Sequence, residues 1–381
     1  MKKKKDYGKL ALALHRKLGG KIRTTPAQPV RNREELSVVY TPGVGAVSSY
    51  LAKNKSKTRE YTMKGRTVAI VSDGSAVLGL GNLGPEGAIP VMEGKAVLFK
   101  SMANIEAFPI VLDTQDADEI VETVIRIAPI FGGINLEDIA APKCFDIENR
   151  VKAALDIPVM HDDQHGTAIV VVAGLINAAK VVKKDLKKMT VVVSGAGAAG
   201  TAVAKLLRLA KIGNILVLDS KGLISKKRKD LSAHKKELAV FTNKKQIEGG
   251  LSDALKDADA VVGVSGPGLI NVSHVQLMAK NPIVFGLANP VPEIMPEEAK
   301  KGGAAVIATG RSDYPNQINN SLAFPGVFRG ALDNGVRKIT DEMKLNAAKA
   351  LASLVAKPAV NKIVPEPFDK RIVPTIAKVI K

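Results

Sequence analysis

The segment TVVVSGAGAAG, residues 190–200, joins an apolar run to a glycine motif. The run of β-branched residues is typical of a buried strand, and Gly195, Gly197 and Gly200 have the spacing G-x-G-x-x-G. In this spacing the first glycine permits a tight turn, the second lets the backbone approach a pyrophosphate, and the third allows a helix to pack closely. The segment therefore predicts a strand, a phosphate-binding turn and a helix whose N-terminus faces the phosphates.

A second feature of a dinucleotide site lies at the end of the next apolar run. Asp219 follows the motif by about twenty residues, where an acidic side chain would bind the 2′-hydroxyl of an adenosine ribose. This carboxylate favours NAD because it would repel the 2′-phosphate of NADP, although Lys221 could receive that phosphate. The alternative is a glycine turn that only packs. The segment GVSGPG, residues 263–268, either lines the same cleft or forms an ordinary turn. The expected cofactor contacts are Gly195, Ala196, Gly197, Ala198, Ala199, Gly200 and Asp219.

The same alternation of apolar runs and amphipathic stretches extends from about residue 68 to about residue 310, which predicts an α/β fold with parallel sheets. The predicted strands are 67–71, 109–112, 134–136, 158–160, 190–193, 214–218, 260–264, 283–285 and 305–308. The predicted helices include 117–128, 145–155, 198–209 and 342–355. We expect two domains, residues 1–165 and a Rossmann-type domain at 166–315, with a helical segment at 316–381 that packs back on the body.

Composition narrows the class of protein. A chain of 381 residues with 46% hydrophobic and 24% charged residues is typical of a folded globular protein with about two or three domains. The net charge of +19 should attract anions, but the basic residues are dispersed and tryptophan is absent, so specific nucleic-acid binding is not expected. Cys144, the single cysteine, excludes an intrachain disulfide and favours the cytoplasm. Residues 1–5 are expected to form a solvated basic tail, and no apolar run is long enough for a membrane span.

Acidic residues follow two of the predicted strands. Glu137 and Asp138 come after the strand at 134–136, and Asp162 and Asp163 come after the strand at 158–160. Carboxyl ends of parallel strands open onto one crevice, so these carboxylates are expected to converge. Oxygen ligands without thiolates indicate Mg²⁺ or Mn²⁺, whereas the alternative is that each acid only caps a helix. His161 and His165 are expected to support the site by packing rather than to bind the metal.

Two further side chains are candidates for catalysis. Lys95 lies in the apolar context EGKAV, so burial could lower its pKa as a general base requires. Tyr40 precedes the turn residues Pro42 and Gly43. Each has an ordinary alternative, because most lysines lie on the surface and a tyrosine beside such a turn is usually structural.

Taken together, these motifs resemble the malic enzyme family in its short prokaryotic form. The matching stretches occur in collinear order and are VYTPGV (39–44), SDGSAVLGLGNLG (72–84), MEGKAVLFK (92–100), FGGINLEDI (131–139), HDDQHGTAIV (161–170), SGAGAAG (194–200), LANPVPEI (287–294) and RSDYPNQINNSLAFPGVFRGAL (311–332). The resemblance implies oxidative decarboxylation of L-malate to pyruvate and CO₂ with NAD, or alternatively NADP, and Mg²⁺ or Mn²⁺.

The resemblance also implies roles for individual residues. The metal ligands would be Glu137, Asp138 and Asp163. Lys95 would be the general base, Tyr40 the general acid, and Asp162 a neighbour that tunes Lys95. The residues that orient substrate or nicotinamide would be Asn289, Asn319 and Asn320. Kinship further implies a homodimer in which Tyr40 reaches the neighbouring subunit's site, with residues 1–165 as the malate and metal domain.

One departure and two alternatives stay open. Larger family members carry an arginine after the Asp73-Gly74 pair to grip a substrate carboxylate, whereas Ser75 and Ala76 stand here. The group that binds this carboxylate is therefore undefined. One alternative is a redox-neutral, malolactic-type conversion of malate to lactate. The other, of a different class, is a basic RNA-binding or scaffold protein that retains an enzyme fold.

Overall fold

The computed structural model describes residues 6–381, so the expected basic tail at 1–5 lies outside the described residues. All nine predicted strands are present with bounds shifted by a few residues at most. A tenth, β7, is only two residues long and lies below the length at which sequence alternation can be recognised. The strands are β1 Thr67–Ser72, β2 Glu106–Val111, β3 Gly133–Leu136, β4 Val159–His161, β5 Thr190–Ser194, β6 Asn214–Asp219, β7 Gly222–Leu223, β8 Ala260–Gly263, β9 Ile283–Gly286 and β10 Val306–Thr309.

Sixteen α-helices lie within the described part of the chain, and the two longest, α5 and α8, flank the N-terminal sheet. The helices are α1 Tyr7–Leu18, α2 Arg33–Val39, α3 Gly43–Lys53, α4 Thr58–Tyr61, α5 Gly84–Ala103, α6 Ala117–Ile127, α7 Lys143–Ala154, α8 Asp162–Val181, α9 Ala198–Leu209, α10 Ala233–Phe241, α11 Leu251–Leu255, α12 Val272–Gln276, α13 Pro296–Lys301, α14 Phe324–Asp333, α15 Asp341–Ser353 and α16 Ile372–Ala377. Within residues 6–381, no helix combines the length and apolar character needed to cross a bilayer.

The N-terminal sheet has four parallel strands in the order β2-β1-β3-β4. Its central strands are buried throughout, because helices cover both faces, and this explains their continuous apolar sequence. Since β3 and β4 are neighbours and parallel, the residues that follow Leu136 and His161 emerge at the same edge of the sheet.

The second sheet has six strands in the order β10-β9-β8-β5-β6-β7. Strands β5, β6, β8, β9 and β10 are parallel, and only β7 is antiparallel. The sheet is the predicted Rossmann-type unit, with β5 and the glycine turn at its centre. The α/β fold class is therefore confirmed.

Helix α8 and the C-terminal segment join the two halves. α8 begins at Asp162 and continues through the predicted boundary at residue 165. In the C-terminal segment, the rings of Phe324 and Phe328 pack on Phe99 of α5 with centroid separations of 4.7 and 5.5 Å. The side-chain amide of Asn177 in α8 donates to two backbone carbonyls of the C-terminal segment. One hydrophobic core thus includes residues from both sheets and from this segment.

The N-terminal helices are exposed. None of the residues in α1, α2, α3 or α4 is buried. Fourteen large hydrophobic side chains are nonetheless exposed between residues 7 and 61: Tyr7, Leu10, Leu12, Leu14, Leu18, Val30, Leu36, Val38, Val39, Tyr40, Val44, Val47, Tyr50 and Tyr61. Apolar surface concentrated in this way is typical of a surface covered by another protein chain.

Candidate active site

Three carboxylates meet at the shared edge of β3 and β4. Glu137 and Asp138 follow β3, and Asp163 lies in the first turn of α8 directly after β4. One carboxylate oxygen from each lies within 4.8 Å of the others. Glu137 and Asp138 are buried, whereas Asp163 is partly exposed. The structure thus brings together the three predicted metal ligands.

Asp138 is fixed by its backbone as well as by its side chain. Its φ of +54° places it in the left-handed region, which aspartate tolerates better than most residues. Its backbone N–H donates to Asp163 Oδ2 at 2.8 Å, and its Oδ1 accepts the N–H of Leu78 at 3.2 Å. The N–H of Ala76 donates to its carbonyl. The turn after β1 is therefore held on Asp138.

The electrostatics of this cluster favour a cation. Burial, reinforced by the charge of Asp163, raises the pKa of Glu137 well above its ordinary value and raises the pKa of Asp138 to about 7. Asp138 Oδ2 is buried without a hydrogen-bond partner. A hard divalent ion would satisfy that oxygen and offset the repulsion, so these residues fit Mg²⁺ or Mn²⁺.

Lys95 projects from α5 into the same cluster. On its helix it lies between the buried residues Met92 and Phe99, so its ammonium group is carried into the interior. Its Nζ is 2.5 Å from Glu137 Oε1 and 2.5 Å from Asp162 Oδ2. It also lies 4.4 Å from the centre of the Phe324 ring. The lysine is thus enclosed by two carboxylates and an aromatic face.

The charge state of Lys95 differs from the sequence-based expectation. Burial alone would lower its pKa, but Asp162 and Glu137 outweigh burial and the net pKa is raised. Burial raises the pKa of Asp162 to about 6, even though Lys95 opposes this. The raised pKa favours the ammonium form of Lys95, and Asp162 and Glu137 lie equally close to its Nζ.

His161 and His165 lie next to the carboxylate cluster, and Glu148 contacts both of them. Glu148 accepts the backbone N–H of His161 at 2.9 Å, and its other oxygen is 3.0 Å from His165 Nε2. His161 Nδ1 is 3.8 Å from Asp163 Oδ2. Sequence reasoning missed Glu148, because it lies in the middle of α7 without a motif that marks it.

The glycine motif has the geometry expected of a phosphate-binding turn. Gly195 has a φ of +120°, and a Cβ on Gly200 would lie 1.8 Å from the carbonyl oxygen of Gly195. Gly197 has open space where its Cβ would be, so a ligand could approach the backbone there. Gly195 and Gly197 border a cavity of about 500 Å³ that is also lined by Ser265 and Leu269. The segment at 263–268 therefore does line the cleft.

Asp219 lines this cavity but is already paired. Its Oδ1 is 2.7 Å from Arg228 Nη1, and its Oδ2 is 2.7 Å from Lys235 Nζ. Although burial opposes the change, these hydrogen bonds lower the pKa of Asp219 to about 2. Arg228 and Lys235 were missed, although the basic run KKRKD at 226–230 was visible in the sequence.

The remaining predicted residues are spread more widely. The carbonyl of Asn289 closely approaches Gly79, where an added Cβ would lie 1.8 Å away. Asn320 lies against Gly166 of α8, and Asn319 caps the short 3₁₀ helix that follows it. Tyr40 ends α2 and is 66% exposed, so the structure does not bring it into the buried Lys95 cluster.

The turn that lacks the family's arginine is organised by its own polar groups. Ser75 Oγ donates to Asp73 Oδ1 and accepts the N–H of Ala140 at 2.8 Å. Lys143 Nζ is 2.5 Å from Asp73 Oδ2. The Ser75 hydroxyl is therefore already engaged on both sides, which disfavours it as the carboxylate-binding group.

Comparison with known proteins agrees with this geometry. Residues 19–152 match the profile "Malic enzyme, N-terminal domain", and residues 164–379 match "Malic enzyme, NAD binding domain". The chain is 53% identical over 373 residues to a bifunctional malic/malolactic enzyme of Bacillus subtilis, covering 97% of this chain and 91% of that one. It is 53% identical over 365 residues to an NAD-dependent malic enzyme of Geobacillus stearothermophilus, covering 95% and 76%.

A solved structure matches over the whole fold. The NAD-dependent malic enzyme of Thermotoga maritima superimposes with a TM-score of 0.94 at 47% identity, covering 97% of this chain and 98% of that chain. The profile matches together cover most of the chain, and both halves of the site lie within them. The protein is a member of the malic enzyme family.

Proposed function

We propose that the protein oxidatively decarboxylates L-malate to pyruvate and CO₂, reducing NAD(P) in a reaction that depends on Mg²⁺ or Mn²⁺. The observation that carries this proposal is the convergence of Lys95 and Asp162 with the three carboxylates Glu137, Asp138 and Asp163 at one strand edge. We propose that the half containing β1–β4 binds malate and metal and that the half containing β5–β10 binds the dinucleotide.

In this reaction Lys95 takes the proton of the C2 hydroxyl while hydride leaves C2 for the nicotinamide. Tyr40 protonates C3 of the enol that decarboxylation leaves, which completes pyruvate. Asn289, Asn319 and Asn320 are proposed to orient the substrate or the nicotinamide by amide hydrogen bonds. Glu137, Asp138 and Asp163 would hold a divalent ion, which would supply Lewis acidity for the negative charge that develops on the substrate.

The ammonium state of Lys95 has to change before it can act as a base. Glu137 and Asp163 attract the lysine proton less strongly once their charge is shared with a divalent ion, so the pKa of Lys95 is expected to fall on loading. Asp162, with a pKa raised to about 6, then serves as the carboxylate that receives the lysine proton. Lys95 and Asp162 thus form a relay from the substrate hydroxyl.

For the cofactor, we propose NAD as the preferred dinucleotide with NADP accepted. Curated relatives include both NAD- and NADP-dependent malic enzymes. Asp219 can bind the ribose hydroxyls, but Arg228 and Lys235 neutralise it and offer donors to a 2′-phosphate. The repulsion that an isolated carboxylate would impose on NADP is therefore reduced.

A second activity is supported by one observation. The Bacillus subtilis relative is named as a bifunctional malic/malolactic enzyme, and this chain aligns with nearly all of it. The malolactic alternative would use the same residues, with NADH returning its hydride to pyruvate before release. It therefore predicts lactate without net NADH.

We further propose a homodimer in which Tyr40 acts in the partner's active site. The exposed hydrophobic residues of α1–α4 supply a surface for a second copy of the chain, and Tyr40 belongs to that surface. Because Tyr40 is exposed while Lys95 is buried, supply of the acid in trans would complete the site. A cytoplasmic location stays a prediction from the single cysteine.

The test is a nicotinamide reduction assay with L-malate, Mn²⁺ and either NAD or NADP, repeated with a chelator, in which pyruvate and lactate are measured. We expect chelator-sensitive formation of NADH with equimolar pyruvate and slower formation of NADPH. Lactate without NADH would favour the malolactic reaction. Neither product under any cofactor condition would overturn the proposal.

A further inference from the structure

Glu293 is a fully buried carboxylate that connects two loops of the dinucleotide half. Its Oε1 accepts the backbone N–H of Ser265 at 2.8 Å, and its Oε2 accepts the backbone N–H of Ala288 at 3.0 Å. Ser265 follows β8, and Ala288 follows β9. One side chain therefore holds the segments that leave two neighbouring parallel strands.

The position of Glu293 is itself closely defined. A Cβ added to Gly263 would lie 2.5 Å from the carboxyl carbon of Glu293, so only glycine leaves room for this side chain. The carbonyl of Glu293 accepts the N–H of Ile270 at 3.0 Å, and the adjacent carbonyl of Pro292 accepts the N–H of Gly268. Backbone contacts thus fix the position of Glu293, and its carboxylate in turn holds the two loops.

Both loops held by Glu293 reach the candidate site. A Cβ on Gly195 would lie 2.6 Å from the carbonyl of Val264 and 3.2 Å from the Cβ of Ser265, so the β8 loop packs directly on the first glycine of the motif. Ala288 immediately precedes Asn289, whose carbonyl approaches Gly79 of the N-terminal half. A shift of the β8 loop would therefore move a wall of the dinucleotide cavity, and a shift of the β9 loop would move Asn289.

We propose that Glu293 is a positioning residue that sets the affinity for the dinucleotide by holding the β8 and β9 loops at a fixed separation. This inference rests on the proposed function insofar as the cavity at Gly195 is taken to bind NAD(P). It assigns to Glu293 an effect on dinucleotide binding and no effect on metal binding, because the metal ligands belong to the other sheet.

The experiment compares the full-length protein with its Glu293→Gln variant by isothermal titration with NADH and, separately, with MnCl₂. The amide NH₂ of glutamine would face a backbone N–H, so one loop would lose its acceptor while the volume of the side chain is kept. We expect the Kd for NADH to rise by about tenfold or more, since a buried donor is left unsatisfied. The Kd for Mn²⁺ should stay within about twofold of the wild-type value.

A matched control separates positioning from a general loss of rigidity. Asn243 is equally buried in the same half and binds backbone groups at Ile224 and Ile247, away from the cavity. Asn243→Ala should lower the unfolding temperature and leave the Kd for NADH unchanged. If Glu293→Gln does not fold, Glu293→Asp replaces it and should also weaken NADH binding, because the shorter side chain cannot reach both donors.

The outcomes are distinguishable. A Glu293 variant that binds NADH as tightly as wild type overturns the inference. So does an equal loss of NADH affinity in Asn243→Ala, which would indicate a general loosening of the domain. Wild-type protein that binds neither NADH nor NADPH would overturn the proposed function, and with it this inference.

Discussion

Lys95 of α5 and Asp162 at the start of α8 form a buried ion pair with an Nζ–Oδ2 distance of 2.5 Å. Asp162 raises the pKa of Lys95. Asp162→Asn removes that attraction, so the pKa of Lys95 should fall. The acidic limb of the pH profile of kcat/KM for malate is therefore expected to move to lower pH.

Lys95→Met is expected to reduce kcat by about 10²–10⁴, the usual contribution of a general acid or base. The matched control is Lys344→Met, which removes another buried lysine, paired with Asp341, outside the cluster. Steady-state kinetics with malate and Mn²⁺ check both expectations. An unmoved acidic limb in Asp162→Asn would exclude Asp162 as the residue that tunes Lys95.

Removal of the metal should make the protein less stable as the pH rises. Burial and Asp163 raise the pKa of Asp138 to about 7 from an ordinary 3.8, so the folded state keeps a proton that the unfolded state loses. The contribution of protonated Asp138 to the free energy of unfolding is complete below about pH 4 and is lost as the pH rises through about 7. Thermal unfolding in chelator should show this decline, and MnCl₂ should reverse it.

Asp138→Asn should flatten the decline and raise the unfolding temperature of the metal-free protein near pH 8 by more than about 3 °C. It should also abolish the stabilisation by MnCl₂. Asp146→Asn, which removes an exposed carboxylate of α7, is the control and should behave as wild type. Metal-free wild-type protein that is as stable near pH 8 as near pH 4 would contradict the prediction.

Asp219, paired with Arg228 and Lys235, should set the preference between NAD and NADP, and its own contribution should not depend on pH. Its pKa is lowered to about 2, so Asp219 stays ionised, and the ratio of KM values for NAD and NADP should be constant from about pH 7 to about pH 9, where the 2′-phosphate of NADP is also fully ionised. The stability that the pair contributes is present above the ordinary pKa of 3.8 and is lost as the pH falls through about 2.

Asp219→Asn should weaken the binding of NAD by about tenfold and shift the preference toward NADP. Asp230→Asn serves as the control, because Asp230 also pairs with Arg228 and does not line the cavity. Initial rates with both dinucleotides measure the shift. Unchanged preference in Asp219→Asn would show that this carboxylate does not contact the ribose.

Gly79 should be intolerant of a side chain because it lies where the two halves meet. A Cβ there would lie 1.8 Å from the carbonyl of Asn289, so Gly79→Ala would push the β9 loop away from the N-terminal half. We expect kcat/KM for malate to fall by about tenfold or more. Gly250→Ala, a site with open space, is the control. Wild-type kinetics in Gly79→Ala would contradict this contact.

A mixing experiment tests whether Tyr40 acts in trans. Tyr40→Phe and Lys95→Met are each expected to be nearly inactive. If both variants form dimers and Tyr40 serves the partner's site, equal mixing and subunit exchange should restore about a quarter of wild-type activity, because half of the dimers carry one intact site. If Tyr40 serves its own subunit, every hybrid site carries one substitution and activity stays low.

The sequence allowed much of the fold and the metal cluster to be predicted, for a physical reason. Strands covered on both faces, such as β1 and β5, are nearly continuous apolar runs, and the carboxyl ends of neighbouring parallel strands such as β3 and β4 must meet at one edge of their sheet. The convergence of Glu137 and Asp163 follows from that rule alone. The glycine turn was equally predictable, because few residue types other than glycine can adopt its backbone conformation.

The partners of these residues could not be predicted because the chain brings them from far away. Phe324 reaches Lys95 from the C-terminal segment, and Lys235 reaches Asp219 from the first turn of α10, after β7 and a loop. The raised pKa of Lys95 also depends on three-dimensional proximity to two acids, so apolar flanks alone wrongly indicated a lowered pKa.

The ring that covers Lys95 has a consequence for how the enzyme matures on the ribosome. Phe324 enters the core beside Phe99 only after more than three hundred residues have been synthesised. A nascent chain that already contains all three metal ligands and the glycine turn still lacks this aromatic wall. We therefore expect the buried environment of Lys95 to be completed only late in translation.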